Sequence, residues 1–167
     1  MNKETALRLL LLVLALNVIR YVVVGPMEQV TLMGPMHRGF VDYPDTFNAD
    51  FGTNDFIIGL VFNFVMWVCV LLIFHFMQAS LPGPLLMRSV LGFALCALLF
   101  VSIAAVYMNH FRDHIKFFFV WSMVDALMVF VLVGIANGLL YPLLVPARLR
   151  PGALPASSQP GDDPDTV

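Results

Sequence analysis

The chain has 167 residues, 60% of them hydrophobic and only 12% charged, with a net charge of −2. Soluble domains carry about a quarter charged residues, so this apolar excess excludes an ordinary water-soluble globule and points to an integral membrane protein. The nine Lys and Arg are dispersed, which excludes the basic patch that a nucleic-acid partner needs. Cys69 and Cys96 each stand alone inside an apolar run, so neither a disulfide framework nor a clustered-thiolate metal site is encoded.

A helix needs roughly 20 apolar residues to cross the hydrocarbon layer, and four runs meet that length. The first spans residues 6–24 and is interrupted by Asn17 and Arg20. Lys3, Arg8 and the following leucines resemble a signal sequence. No small-residue cleavage site follows, so an uncleaved signal-anchor helix is expected. Residues 25–55 form the one long loop. Its repeated Gly-Pro pairs and Pro44 predict turns, with 27–36 resting on the membrane surface. The second run, 56–77, contains Asn63. Asp55, Gly59 and Asn63 share one face there, and Gly59 predicts close approach of a neighbouring helix.

A short turn at 78–84 makes the third run, 85–108, antiparallel to the second; Ser102 is its polar interruption. The fourth run, 117–140, carries Asp125 and Asn137, and its Gly134-Ile-Ala-Asn-Gly138 segment has the spacing of close helix packing. Residues 1–146 thus read as one transmembrane domain. From 147 to 167 the composition turns to Pro, Ser, Gly and Asp, which predicts a disordered tail. The expected fold is an all-α integral membrane protein, a four-transmembrane-helix bundle in the lipid bilayer. Lys3, Arg8, Arg88, Arg148 and Arg150 would share one side, so the positive-inside rule predicts an inner (plasma) membrane protein with both termini cytoplasmic.

Asp125 is the residue that most needs an explanation, because no other charged side chain lies between Lys116 and Arg148. A carboxylate inside a span is costly unless it is paired, protonated or facing water, which makes it a candidate site. Counting from the loop-side helix ends at about 1.5 Å per residue places Asp125 about 13 Å deep, Asn63 and Asn17 about 12 Å, Ser102 about 10 Å and Arg20 about 8 Å. Every span therefore contributes to one polar layer, to which Ser122 adds itself three residues before Asp125. An Arg20–Asp125 ion pair is the expected centre of this layer.

His110 and His114 have the i, i+4 spacing of zinc ligands, and His37 is expected on the same side of the membrane; together they are a candidate metal site. The histidines are not placed to ligate a haem across the bundle, and no cofactor is called for. No phosphate loop, nucleophile elbow, Cys-x-x-Cys or Glu-paired histidine motif occurs. The expected activity is that of a non-enzymatic subunit or accessory factor, with other membrane subunits or further copies of itself as partners. The alternative is a small proton- or ion-coupled transporter using Asp125 and Arg20. A membrane enzyme around His37, His110 and His114 is the third reading.

Overall fold

The computed structural model describes residues 2–31, 33–45, 52–111 and 113–151. The expected disordered tail from 152 onward lies outside the described residues. Among the described residues all regular structure is helical. Four helical stretches are long and apolar enough to cross a membrane: Lys3–Gln29, Thr53–Ser80, Leu85–Met108 and Ile115–Leu144. The fold is an all-α four-helix bundle.

Helix α1 (Lys3–Ile19) starts at Asn2, whose Oδ1 accepts the Thr5 backbone N–H at 2.8 Å and satisfies one of the otherwise unpaired donors of the first turn. The helix does not stop at Val24. A π-turn spans Arg20–Val24, closed by the Gly25 N–H donating to the Arg20 carbonyl, and helix α2 (Gly25–Thr31) continues directly from it. Pro26 supplies the cause. It has no N–H for the Val22 carbonyl, and its ring would crowd that carbonyl in a regular helix. One wider turn absorbs the conflict without breaking the rod.

Helix α3 (Met33–Asp42) follows, so much of the segment expected to be turns is helical. The correction has a simple basis: a proline in the first turn of a helix is well tolerated, and Gly-Pro pairs can open helices as well as end them.

Helix α4 (Thr53–Met77) begins where the Asp55 carboxylate accepts the Gly52 N–H at 3.0 Å. A 3-10 turn at Gln78–Ser80 and Gly83, with φ at 89°, reverse the chain into helix α5 (Leu85–Met108). That left-handed backbone favours glycine. Helix α6 (Asp113–Leu144) returns across the bundle and ends in a 3-10 turn at Ala147–Leu149. This turn belongs to the folded body and corrects the start of the expected tail. Arg148 reaches Glu4 at 3.0 Å, and the Arg150 Nε donates to the Val145 carbonyl at 3.1 Å.

Helices α5 and α6 pack most closely. A methyl group at Gly138 would lie 2.9 Å from the Leu86 Cα, and one at Gly134 would lie 3.0 Å from the Phe93 Cβ. The two glycines therefore mark a true close approach. Gly59, expected to do the same in α4, has no neighbour within 4 Å of where a Cβ would stand. At Gly59 itself, among the described residues, no other helix approaches closely.

The two ends of the bundle differ in kind. Around α1, the C-terminal halves of α4 and α6 and the N-terminal half of α5, side chains such as Leu12, Leu16, Phe74, Phe93, Val133 and Val145 are wholly or almost wholly buried. At the other end, among the described residues, none before Trp67 in α4, after Ala97 in α5 or before Val129 in α6 is buried. One end is closed and the other is open.

Candidate functional site

The open end contains two cavities that meet at the same charged residues. The first, of about 380 Å³, lies among the spans and takes its polar lining from Arg20, Asn63, Ser122 and Asp125. Phe62, Met66, Phe100 and Phe130 contribute apolar walls. The second, of about 700 Å³, lies against α2 and α3 and is lined by Arg20, Glu28, Gln29, Met33 and Asp125, among others. Arg20 and Asp125 thus border both.

Arg20 does not pair with Asp125, the partner expected from depth alone. Its two terminal nitrogens bind the Glu28 carboxylate in a bidentate pair, Nη1 to Oε2 and Nη2 to Oε1, the latter at 2.7 Å. Both side chains are largely withdrawn from solvent, at 17% and 8% exposure, so the pair belongs to the buried class in which removal of one partner is severe. The π-turn explains the correction. In a regular helix residues eight apart are about 80° out of phase; one absorbed residue makes them behave as seven apart, within about 20° of the same face. A reading that ends the helix at Val24 consigns Glu28 to a loop and loses this partner.

Asp125 joins the same group from the other side, because it lines the second cavity together with Arg20 and Glu28. The group is therefore a triad, Arg20–Glu28–Asp125, drawn from the π-turn, α2 and α6. The Asp125 Oδ1 is buried and has no partner in the described structure, and the same holds for the Asn63 Oδ1. The Asn63 amide is fixed by its other end, where Nδ2 donates to the Tyr21 hydroxyl at 2.6 Å.

The other residues of the expected polar layer divide between helix surfaces and the cavity. Ser122 lines the first cavity and donates its hydroxyl to the Phe118 carbonyl at 2.9 Å. Asn17 returns its Nδ2 to the Val13 carbonyl at 2.9 Å and faces a separate apolar groove of about 550 Å³ between α1 and α4. Ser102 is exposed and bonds the Leu98 carbonyl at 2.7 Å. Arg20, Asp125, Asn63 and Ser122 are gathered around one space; Asn17 and Ser102 are not.

The histidine group does not assemble a site in the described residues. His37 and His110 are exposed, and the side chain of His114 lies outside what is described. No set of three His, Cys, Asp or Glu among the described residues is placed to hold a metal ion.

Sequence reasoning also missed a polar network at the closed end. The His75 Nδ1 lies 2.6 Å from the Tyr141 hydroxyl, and the Gln78 Nε2 donates to the same hydroxyl and to the His75 carbonyl. Above it, the Asn137 Nδ2 donates to the Ser89 Oγ at 2.8 Å, and Ser89 donates to the Gly134 carbonyl at 2.7 Å. All five side chains are buried. Their signal was depth again: His75 and Tyr141 fall at matching distances from the same end of their spans.

No protein-family model, no curated protein and no solved structure matches this chain.

Proposed function

We propose that this chain is a small proton- or ion-coupled membrane carrier whose working group is the Arg20–Glu28–Asp125 triad. The observation that carries the reading is the position of Asp125, a carboxyl bordering two cavities at the open end, one of which it shares with the Arg20–Glu28 pair. A structural ion pair would be satisfied, whereas this carboxyl keeps a buried oxygen without a hydrogen-bond partner. Inner-membrane placement with both termini cytoplasmic is part of the proposal, supported by Lys3, Arg8, Arg88, Arg148 and Arg150 at the closed end. The test is proton flux in proteoliposomes loaded with a pH-sensitive dye. An imposed gradient should collapse with the wild type and persist with Asp125→Asn; equal rates would dispose of the reading.

A second reading, a non-enzymatic subunit or accessory factor of a larger assembly, is favoured by a different observation. The open-end halves of α4, α5 and α6 leave their faces unburied by one another, as they would if a further helix were to fill the space. Native mass measurement on protein extracted in mild detergent decides it. An assembly above the 18.6 kDa of one chain supports the reading, and a monomer under every extraction condition rejects it.

A further inference from the structure

The closed end carries a cluster of charged side chains that neither the triad nor the buried polar network uses. The first span begins there at Lys3 and the last ends there at Leu144, so the cluster stands where these spans leave the hydrocarbon layer. Glu4 is the one carboxylate at this end among the described residues. Its Oε1 accepts from the Arg8 Nε and from the Arg148 Nη2, each at 3.0 Å, which ties the start of α1 to the turn after α6. Two of the arginines also cap α6. The Arg8 Nη1 donates to the Leu144 carbonyl at 3.0 Å, and the Arg150 Nε holds the Val145 carbonyl. With Lys3 on the same first turn as Glu4, four cations stand against one carboxylate.

Capping and tethering leave donors over. Arg148 bonds no backbone carbonyl among the described residues, engages Glu4 through one nitrogen and is 70% exposed. Arg150 lies with its guanidinium 5.7 Å from the centre of the Tyr141 ring, and its terminal nitrogens have no partner among the described residues. Lys3 is exposed and unpaired there too. Towards the lipid the surface is apolar. Glu4, Leu7 and Leu11 share one stripe of α1, and both leucines are exposed; so are Leu139 and Leu143, one turn apart on α6.

We infer that this end binds an anionic phospholipid, its phosphate held by Arg148, Arg150 and Lys3 and its acyl chains lying along the exposed leucines of α1 and α6. The phosphate oxygens are acceptors, and a guanidinium fork matches two of them at once. Each basic residue at a membrane surface strengthens attraction to anionic lipid by about 5-fold. A zwitterionic lipid brings its own cation, which an excess of positive charge repels. A soluble anion gains nothing from the leucines beneath the cluster. The inference is independent of the carrier reading.

Native mass spectrometry on the purified full chain in neutral detergent, titrated with phosphatidylglycerol or phosphatidylcholine, tests it. Phosphatidylglycerol should bind about 10-fold or more tighter. Lys3→Gln with Arg148→Gln, neither of which caps a helix, should remove most of that preference. Arg88→Gln should leave it nearly intact, because Arg88 is bonded to the Gly83 carbonyl outside the cluster. Excess glycerol phosphate should not displace the lipid. Equal affinity for the two lipids, a preference that survives the double change, or an equal loss in Arg88→Gln would overturn the site. Displacement by glycerol phosphate would make it a soluble-anion site instead. A preference seen only after removal of residues 152–167 would mean that Asp162, Asp163 and Asp165 are the occupants, and the lipid assignment would fall.

Discussion

Both terminal nitrogens of Arg20 are held by one carboxylate, that of Glu28, eight residues further along the same helical rod. Asp125 lines one cavity with the pair but is not the guanidinium's partner, so the three residues are not interchangeable.

Removing the guanidinium leaves two carboxyls on one cavity without a cation, whereas removing the Glu28 charge leaves Arg20 on the same cavity as the Asp125 carboxyl. Arg20→Leu should therefore lower unfolding stability by about 3 kcal/mol and Glu28→Gln by only about 1 kcal/mol. Denaturation of the two variants in the same detergent checks the order. Equal losses, or a larger loss in Glu28→Gln, would mean that Asp125 does not take over the guanidinium.

The glycines give a prediction with a sign change along the chain. Gly138→Ala places a methyl 2.9 Å from backbone at Leu86 and should destabilise by about 1–3 kcal/mol. Gly134→Ala meets the Phe93 side chain, which can shift, and should cost less. Gly59→Ala meets nothing and should be neutral or stabilising by about 0.5 kcal/mol or more, because it lowers the entropy lost on folding. Thermal unfolding of the three single variants ranks them, and a destabilised Gly59→Ala would show that another helix covers that face.

At the closed end, Tyr141 is the shared member of the network. Tyr141→Phe strips His75 and Gln78 of one partner at once and should cost about 1–2 kcal/mol, above the average of about 0.6 kcal/mol for a single interhelical bond in a membrane. His75→Phe added to it should cost less than the sum of the two single changes, because the bond between them is lost only once. Additive losses in the double variant would show that the bond contributes nothing.

The spans were legible because twenty apolar residues in a row have few other uses, and depth counting alone brought Arg20, Asn63, Ser122 and Asp125 to one layer. Depth says nothing about azimuth. Asn17 and Ser102 lie at similar depths, yet one faces a separate groove and the other is exposed. Glu28 was hidden by Gly25-Pro26, a pair that reads as a stop and here widens one turn instead. Ser89, Asn137 and Tyr141 were hidden for another reason. Each alone looks like an ordinary helix-packing or interfacial residue, and only the close approach at Gly134 and Gly138 makes them neighbours.

The local origin of the Arg20–Glu28 pair also bears on how the chain enters the membrane. Insertion proceeds from the first span, long before α6 has been synthesised, and an unmatched arginine opposes it. Here the neutralising carboxylate arrives within the same emerging rod. Glycosylation mapping of the first span should show weaker insertion for Glu28→Gln than for the wild type, with Asp125→Asn making no difference; the reverse pattern would argue for a late-formed pair. A wider turn at Pro26 thus lets the nascent chain carry its own counter-charge across the threshold, and leaves Asp125 free to join an ion pair that is already made.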